Sequence, residues 1–192
     1  MMNLADYQYI LVVDLEATCS DRKEIPRHEM EIIEIGAVMV ETAELKPVDE
    51  WQTFIKPVRH PELTQYCKQL TSITQQQVKG APLYPKAIAS FQKWLSEYDS
   101  YVFGSWGDYD RKQFIKDSKY HKLPYPFDTE HINLKKLFSQ SQKVHRNYGM
   151  KQALEEAGIN LEGRHHRGID DARNVAALLP YILGRKQIAY NR

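Results

Sequence analysis

Hydrophobic and polar positions follow two periods along this chain. Alternation at a period of two, the mark of a strand, runs through three N-terminal stretches. The first is Tyr9 to Glu16, which starts as a buried strand with Leu11, Val12 and Val13. The second, "EIIEIGAVMVET" (31–42), sets Ile33, Ile35, Ala37 and Met39 on one side and Ile32, Val38 and Val40 on the other, so both of its faces are covered. In the third, "EWQTFIKPV" (50–58), Trp51, Thr53 and Ile55 alternate with Gln52, Phe54 and Lys56. Turn-rich sequence separates each pair, which predicts an antiparallel meander.

Farther along, the period lengthens towards that of a helix. "HPELTQYCKQLTSITQQQVKGAP" (60–82) predicts short helical pieces and loops. Ala87, Ile88, Phe91, Trp94, Leu95 and Tyr98 recur at steps of three and four, a broad apolar stripe on a helix with Pro85 in its first turn. "SYVFGSW" (100–106) reads as a fourth strand, and "DYDRKQFIKDSKY" (108–120) as a helix stopped by "LPYP". "HINLKKLFSQ" (131–140) is a short strand running into a helix, and "YGMKQALEEAGI" (148–159) a helix ended by Gly158. A last helix, from about Asp170 to Leu183, turns Val175, Leu178, Leu179 and Ile182 inward. Strands in a meander followed by alternating helices and strands predict an α/β fold, a central mixed five-stranded sheet with helices on both faces.

Composition narrows the picture only modestly. At 192 residues the chain is long enough for one domain with a sizeable core and short for two, so a single domain over 1–192 is expected. Lys+Arg 26 against Asp+Glu 25 leaves a formal charge of +1, so bulk charge does not select a polyanionic partner. Two cysteines, Cys19 and Cys67, make no disulfide framework and lack the pairing of a zinc site; reduced thiols in a cytoplasmic protein are expected. The start, "MMNLADYQYI", has no basic segment leading into an apolar stretch, and no apolar run approaches ~20 residues, so neither a signal peptide nor a membrane span is expected.

The first strand breaks its own pattern. Asp14 and Glu16 are two apart, so they share a face about 7 Å from one another along the strand. Two anions that close repel, more so when buried. No Lys or Arg lies within the strand, and a divalent cation with a taste for hard oxygen, Mg²⁺ or Mn²⁺, is the simplest compensation. The alternative is a strand that frays at Asp14 into a solvated turn. "GSWGDYDRKQF" (104–114) adds Asp108 and Asp110 just past a strand end, where open α/β sheets commonly keep their sites. Asp108 is the better helix N-cap, which leaves Asp110 in the first turn, either solvated or looking back over the sheet edge. In "HHRGIDDARN" (165–174), Asp171 is four residues before Val175 and continues the inward stripe, whereas Asp170 faces Arg173 and Asn174 and reads as the cap. Of the paired histidines, either could lie on the surface, although a His in a glycine-containing loop before an inward acid is less easily set aside.

Asp14-x-Glu16, then Asp110, then His166 with Asp171 five positions on, resembles the DEDDh group of 3′→5′ exonucleases, which share a ribonuclease H-like fold. The likeness is closest to the branch of enhanced-RNAi and histone-mRNA 3′-exonucleases and their bacterial KapD-like relatives. It rests on "DLEATC" (14–19), "EIIEIGAVMV" (31–40), "FIKPVRHPELTQYCKQLTSITQQQV" (54–78), "SWGDYD" (105–110) and "HHRGIDDARN" (165–174), in that order over nearly the whole chain.

This resemblance implies a two-metal phosphodiesterase. Asp14, Glu16 and Asp171 would hold the ion that carries the attacking water, Asp14 would bridge to a second ion, and Asp110 would support that second one. Two such ions can stabilise both the attacking and the leaving oxygens of an in-line displacement. His166 would be the general base, a task suited to a group titrating near neutrality. Glu16 and Ala17, with the neighbouring Thr18, would meet the terminal nucleotide of a single-stranded RNA, or DNA, and cleavage from the free 3′ end would release nucleoside 5′-monophosphates. Leu70 and Ile73 would wedge the terminal bases and Trp106 would stack on them, with core packing as the alternative for each. Arg164 and Arg167 would meet the phosphate backbone unless simply solvated. Cys19 and Cys67 would be small buried hydrophobes. Two other functions stand beside this one: a DNA proofreading exonuclease, and a nucleic-acid-binding module that kept the fold and lost turnover. The intact acid set argues against the module, because clustered buried charge is costly to keep.

Overall fold

Five stretches of the chain hydrogen-bond into one sheet in the computed structural model, which describes residues 4–22 and 24–189. Met1 to Asn3, where the N-terminal reading begins, lie outside the described residues. Strands β1 (Tyr9–Ala17), β2 (Ile32–Glu41) and β3 (Lys46–Phe54) form the expected antiparallel meander. Strands β4 (Tyr101–Ser105) and β5 (His131–Asn133) join the other side of β1 in parallel, giving the order β3-β2-β1-β4-β5.

The third strand lies earlier in the chain than the 50–58 its alternation suggests. It is an edge strand, so Lys46 and Val48 can stand in solvent, and Pro47 is tolerated opposite Val40 beside a bulge. An edge needs only one apolar face, and that weakens the pattern at its start.

Eight α-helices and one 3₁₀ turn (Leu4–Asp6) complete the described chain. Helices α1 (Gln65–Thr71) and α2 (Gln75–Lys79) are the short pieces expected in 60–82, capped by Thr64 and by a Thr74–Gln77 capping box. Helices α3 (Tyr84–Leu95) and α4 (Tyr109–Tyr120) cover one face of the sheet, where Phe91 and Phe114 pack on Leu11, Val13 and Phe103. Burying one such side chain stabilises by roughly 1.5–3 kcal/mol. Helices α5 (Leu134–Ser141), α6 (Met150–Glu156), α7 (Gly168–Ala177) and α8 (Leu179–Ile182) cover the other face, on Ile10, Val12, Val38 and Val40. No helix of the described residues is long and apolar enough to cross a membrane.

Two features of the last helical segment differ from the sequence pattern. Pro180 divides the expected single helix into α7 and α8. The first of these begins at Gly168, before Asp170, because its N-terminus packs directly on β2. A Cβ on Gly36 would lie 2.1 Å from the Gly168 carbonyl carbon, so only glycine there admits this approach. Gly36 is the β2 partner of Asp14. The same close contact therefore delivers the start of α7 to the acidic end of β1.

Candidate active site

Along β1, Leu11, Val13 and Leu15 face α3 and α4, while Ile10 and Val12 face α7. Asp14 and Glu16 continue the second row, so the two acids share the face on which α7 begins. Pairing of β1 with β4 ends at Val12 opposite Gly104. Past that end the Leu15 N–H donates instead to Asp110 Oδ1 at 3.1 Å, which draws the first turn of α4 over the same spot. Asp110 is buried and looks back over the sheet edge, and the strand does not fray at Asp14.

Ligand oxygens of Asp14, Glu16 and Asp171 all lie within 4.8 Å of one another. Burial lifts the Asp14 carboxyl well above its ordinary range, and Asp110, Glu16, Asp171 and Glu34 add to the rise. Glu16 is raised to about 9, first by burial and then by Asp171 and Glu34. Asp110 is raised to about 6 by burial, against hydrogen bonds from Ser105 and Leu15 that pull it down. For Asp171 burial raises and His165 and His166 lower. A set of converging oxygens that protons or cations must neutralise is the donor chemistry a hard divalent ion takes, and the residues fit one.

Both histidines stand over Asp171. The His166 N–H donates to Asp171 Oδ2 at 3.0 Å, and His165 Nδ1 lies 3.0 Å from the same oxygen. Their rings stack with centroids 4.0 Å apart. His166 has φ of 65°, a left-handed conformation uncommon for a residue with a Cβ and often found at functional sites. Burial and the neighbouring His165 push His166 below its ordinary pKa, opposed by Asp171.

These groups floor a cleft of about 310 Å³, with Ala17, Leu70 and Trp106 on its walls. The Trp106 ring is fixed by its Nε1–H donating to the Tyr148 carbonyl at 3.2 Å. Tyr109, Met30 and Met150 also line the cleft and carried no signal of their own in the sequence. Tyr109 lies between Asp108 and Asp110, and only the point where α4 starts reveals which way it faces.

Other expected positions fall elsewhere. Ile73 is fully buried with Ile33, Leu63, Cys67 and Val78, so it belongs to a core cluster and not to the cleft. Thr18 is also fully buried; its hydroxyl accepts from the Glu31 N–H at 2.9 Å and pins the end of β1. Asp108 occupies the N-cap position of α4 but makes no side-chain cap bond, since its backbone is helical instead of extended. Asp170 is not the cap of α7; its carboxylate accepts from the Arg164 N–H and the Arg173 guanidinium. Arg167 is not available to a phosphate. Its guanidinium grips Glu34 with two bonds of 3.1 Å, beside bonds from the Gly168 N–H and Gln52 to the same carboxylate.

Comparison with known proteins agrees with this geometry. A family model described as an exonuclease, RNase T, matches residues 11–179. Human 3′-5′ exoribonuclease 1 is 32% identical over 194 residues, which is 94% of this chain and 54% of the relative. The 3′-5′ exonuclease eri1 of Schizosaccharomyces pombe is 28% identical and is matched over 90% of this chain and 67% of its own length. The chain spans about half the length of the mammalian 3′-5′ exoribonuclease 1 relatives it matches. Among solved structures, the nuclease domain of 3′hExo, a DEDDh family member bound to rAMP, superposes with a TM-score of 0.86 at 31% identity, covering 93% of each chain. A structure of 3′-end recognition of a histone mRNA stem-loop by a 3′-exonuclease gives the same TM-score over 96% of this chain and 67% of that one. The chain belongs to the exonuclease family, within its DEDDh group and on the branch of the 3′-5′ exoribonucleases.

Proposed function

We propose that this chain is a metal-dependent 3′→5′ exonuclease that shortens single-stranded RNA from its 3′ end to nucleoside 5′-monophosphates. The observation that carries the reading is the convergence of Asp14, Glu16 and Asp171 oxygens within 4.8 Å of one another on the floor of an open cleft, with His166 at its rim. Asp14, Glu16, Asp171 and Asp110 would hold two divalent cations, Mg²⁺ or Mn²⁺, which supply charge for an attacking water and for the leaving oxygen. His166 takes the proton of that water on its imidazole, and burial keeps the ring neutral and able to do so. Ala17 and Leu70 confine the terminal nucleotide, Glu16 meets its sugar, and the fixed Trp106 ring offers a stacking face. The rAMP-bound and histone-mRNA-bound relatives favour RNA over DNA. Cys19 and Cys67 as free thiols suit the reducing cytoplasm.

The test uses RNA and DNA oligonucleotides labelled at either end, incubated with Mn²⁺, Mg²⁺ or EDTA. Stepwise loss from the 3′ end, with metal only and faster on RNA, is expected; His166→Ala slows the single-turnover step while leaving metal affinity intact. Binding without shortening, or shortening that EDTA does not stop, overturns the reading.

A further inference from the structure

Cys19 and Cys67 have no part in the hydrolysis, yet the structure holds them together where β1 leaves the sheet. Cys19 is partly exposed and lines the cleft. Cys67, in the first turn of α1, is fully buried behind it, with its Sγ donating to the Ala17 carbonyl at 3.7 Å. Thr64 clips the two main chains to one another: its hydroxyl donates to the Cys19 carbonyl at 2.6 Å and accepts from the Cys67 N–H at 3.0 Å. The two thiols are themselves in hydrogen-bond contact, and Cys19 packs against the buried cluster that holds Cys67.

We infer that Cys19 and Cys67 form a peroxide-sensitive dithiol site whose closure to a disulfide reversibly impairs the cleft. The chemistry balances with one hydrogen peroxide per pair. Peroxide entering the cleft oxidises the accessible Cys19 sulfur to a sulfenic acid as its O–O bond breaks and one water leaves. The Cys67 sulfur then attacks that sulfur, the S–S bond forms, and the sulfenic oxygen departs with the Cys67 thiol proton as a second water. A dithiol reductant returns both thiols.

Closure draws the sulfurs from hydrogen-bond contact to a bond of about 2.05 Å. The moving segment begins three residues after Glu16, and the helix it moves towards carries Leu70 on the cleft wall. A shift of about 1 Å at a reacting centre can reduce a rate on the order of 10²-fold. The loss of activity rests on the nuclease reading above; the disulfide itself does not.

The experiment treats the reduced full chain with hydrogen peroxide, then follows non-reducing peptide mapping and RNA shortening in parallel. A cross-linked peptide pair joining Cys19 to Cys67 is expected, with turnover reduced on the order of tenfold or more and restored by dithiothreitol. Cys19→Ser and Cys67→Ala, each compared with its own untreated activity, are expected to resist peroxide. Both thiols still alkylatable after peroxide, a disulfide without loss of turnover, or variants that lose as much activity to peroxide as the parent chain overturns the inference. If the reduced chain shows no nuclease activity at all, the nuclease reading and the claimed impairment fall together, while the peptide map still decides whether the disulfide forms.

Discussion

Two groups of acids are taken out of water in and around the same sheet, and they are treated in opposite ways. Glu31 accepts from three successive backbone N–H groups, of Val58, Arg59 and His60. Glu34 accepts from Arg167, Gly168 and Gln52, and Asp117 from Ile32, Gln113 and Arg59. Asp14 and Glu16 receive no such donors among the described residues; what surrounds them is burial and further carboxylates, all raising their pKa values. Acids of the first kind staple loops to the sheet through hydrogen bonds to charge, each worth roughly 1.5–3 kcal/mol. Acids of the second kind are left for a ligand from outside the chain. Burial alone does not distinguish structure from chemistry, but the origin of the compensating charge does.

The sharpest way to break the comparison is Asp14→Asn, which keeps the shape and removes one charge. Activity is expected to fall by at least about 10²–10³-fold, measured on labelled RNA with saturating Mn²⁺, while the metal-free melting temperature holds or rises. A fall in metal-free stability would place Asp14 among the structural acids. Titration sharpens the same contrast. Glu16 is raised from 4.5 to about 9, so across that window the folded chain keeps a proton that the unfolded chain has released. Stability is then lost as pH rises between those values when metal is absent. A divalent cation replaces the proton, so the stabilisation by Mn²⁺ is expected to grow with pH, reaching about 2.7 kcal/mol at a concentration of 100 Kd. Melting curves in EDTA and in Mn²⁺, at acid and at alkaline pH, check the sign.

Glu34→Gln probes the other kind. Glu34 is fully buried and the Arg167 side chain 20% exposed, so removing one partner leaves an uncompensated cation and is expected to destabilise by about 3–5 kcal/mol. Urea denaturation of Glu34→Gln, Arg167→Met and the double variant gives the coupling; single losses that simply add would remove the pair from the structural group. Because Arg167 follows His166 directly, turnover falls as well, but metal affinity should change far less than in Asp14→Asn.

Much of this was legible along the chain, because parity in a strand needs no tertiary knowledge. Asp14 and Glu16 share a face by spacing alone, and the stripe ending in Val175 points Asp171 inward. The motif order carried the rest of the acid set and the choice of His166. The distinction between bare and satisfied acids was not legible. Glu34 reads as one more polar position in "EIIEIG", and its partner Arg167 lies 133 residues away. Ile73 failed as a wedge because one apolar residue in a loop-rich stretch can face either way until the helices flanking it are placed. Asp108 had the right position for a cap, but a cap bond also needs an extended backbone, and here φ and ψ are −110° and 0°. The early start of α7 depends on two glycines meeting between distant segments, a contact that no periodicity encodes.

The smallest expected effect separates two neighbours of one type. Asp170 and Asp171 are adjacent in "GIDDARN", and by composition they are interchangeable. Asp171 faces the cleft with Asp14 and Glu16; Asp170 faces away, accepting from the Arg164 N–H at 2.9 Å and from Arg173 at 3.2 Å, with its side chain 20% exposed. Asp170→Ala removes a loop bond and a partly solvated ion pair, so it is expected to destabilise by about 1 kcal/mol. The loop it tethers carries His165 and His166, but these remain bonded to Asp171, so turnover should change less than about threefold, within what such a free-energy loss can transmit. Asp171→Ala should show near-complete loss of activity, with a metal-free stability loss of about 1 kcal/mol from its own bonds to His165 and His166. A collapse of turnover in Asp170→Ala would mean that the polar side of α7 also sets the geometry of the site, and the division between acids that hold the fold and acids that await a cation would have to be redrawn at this helix.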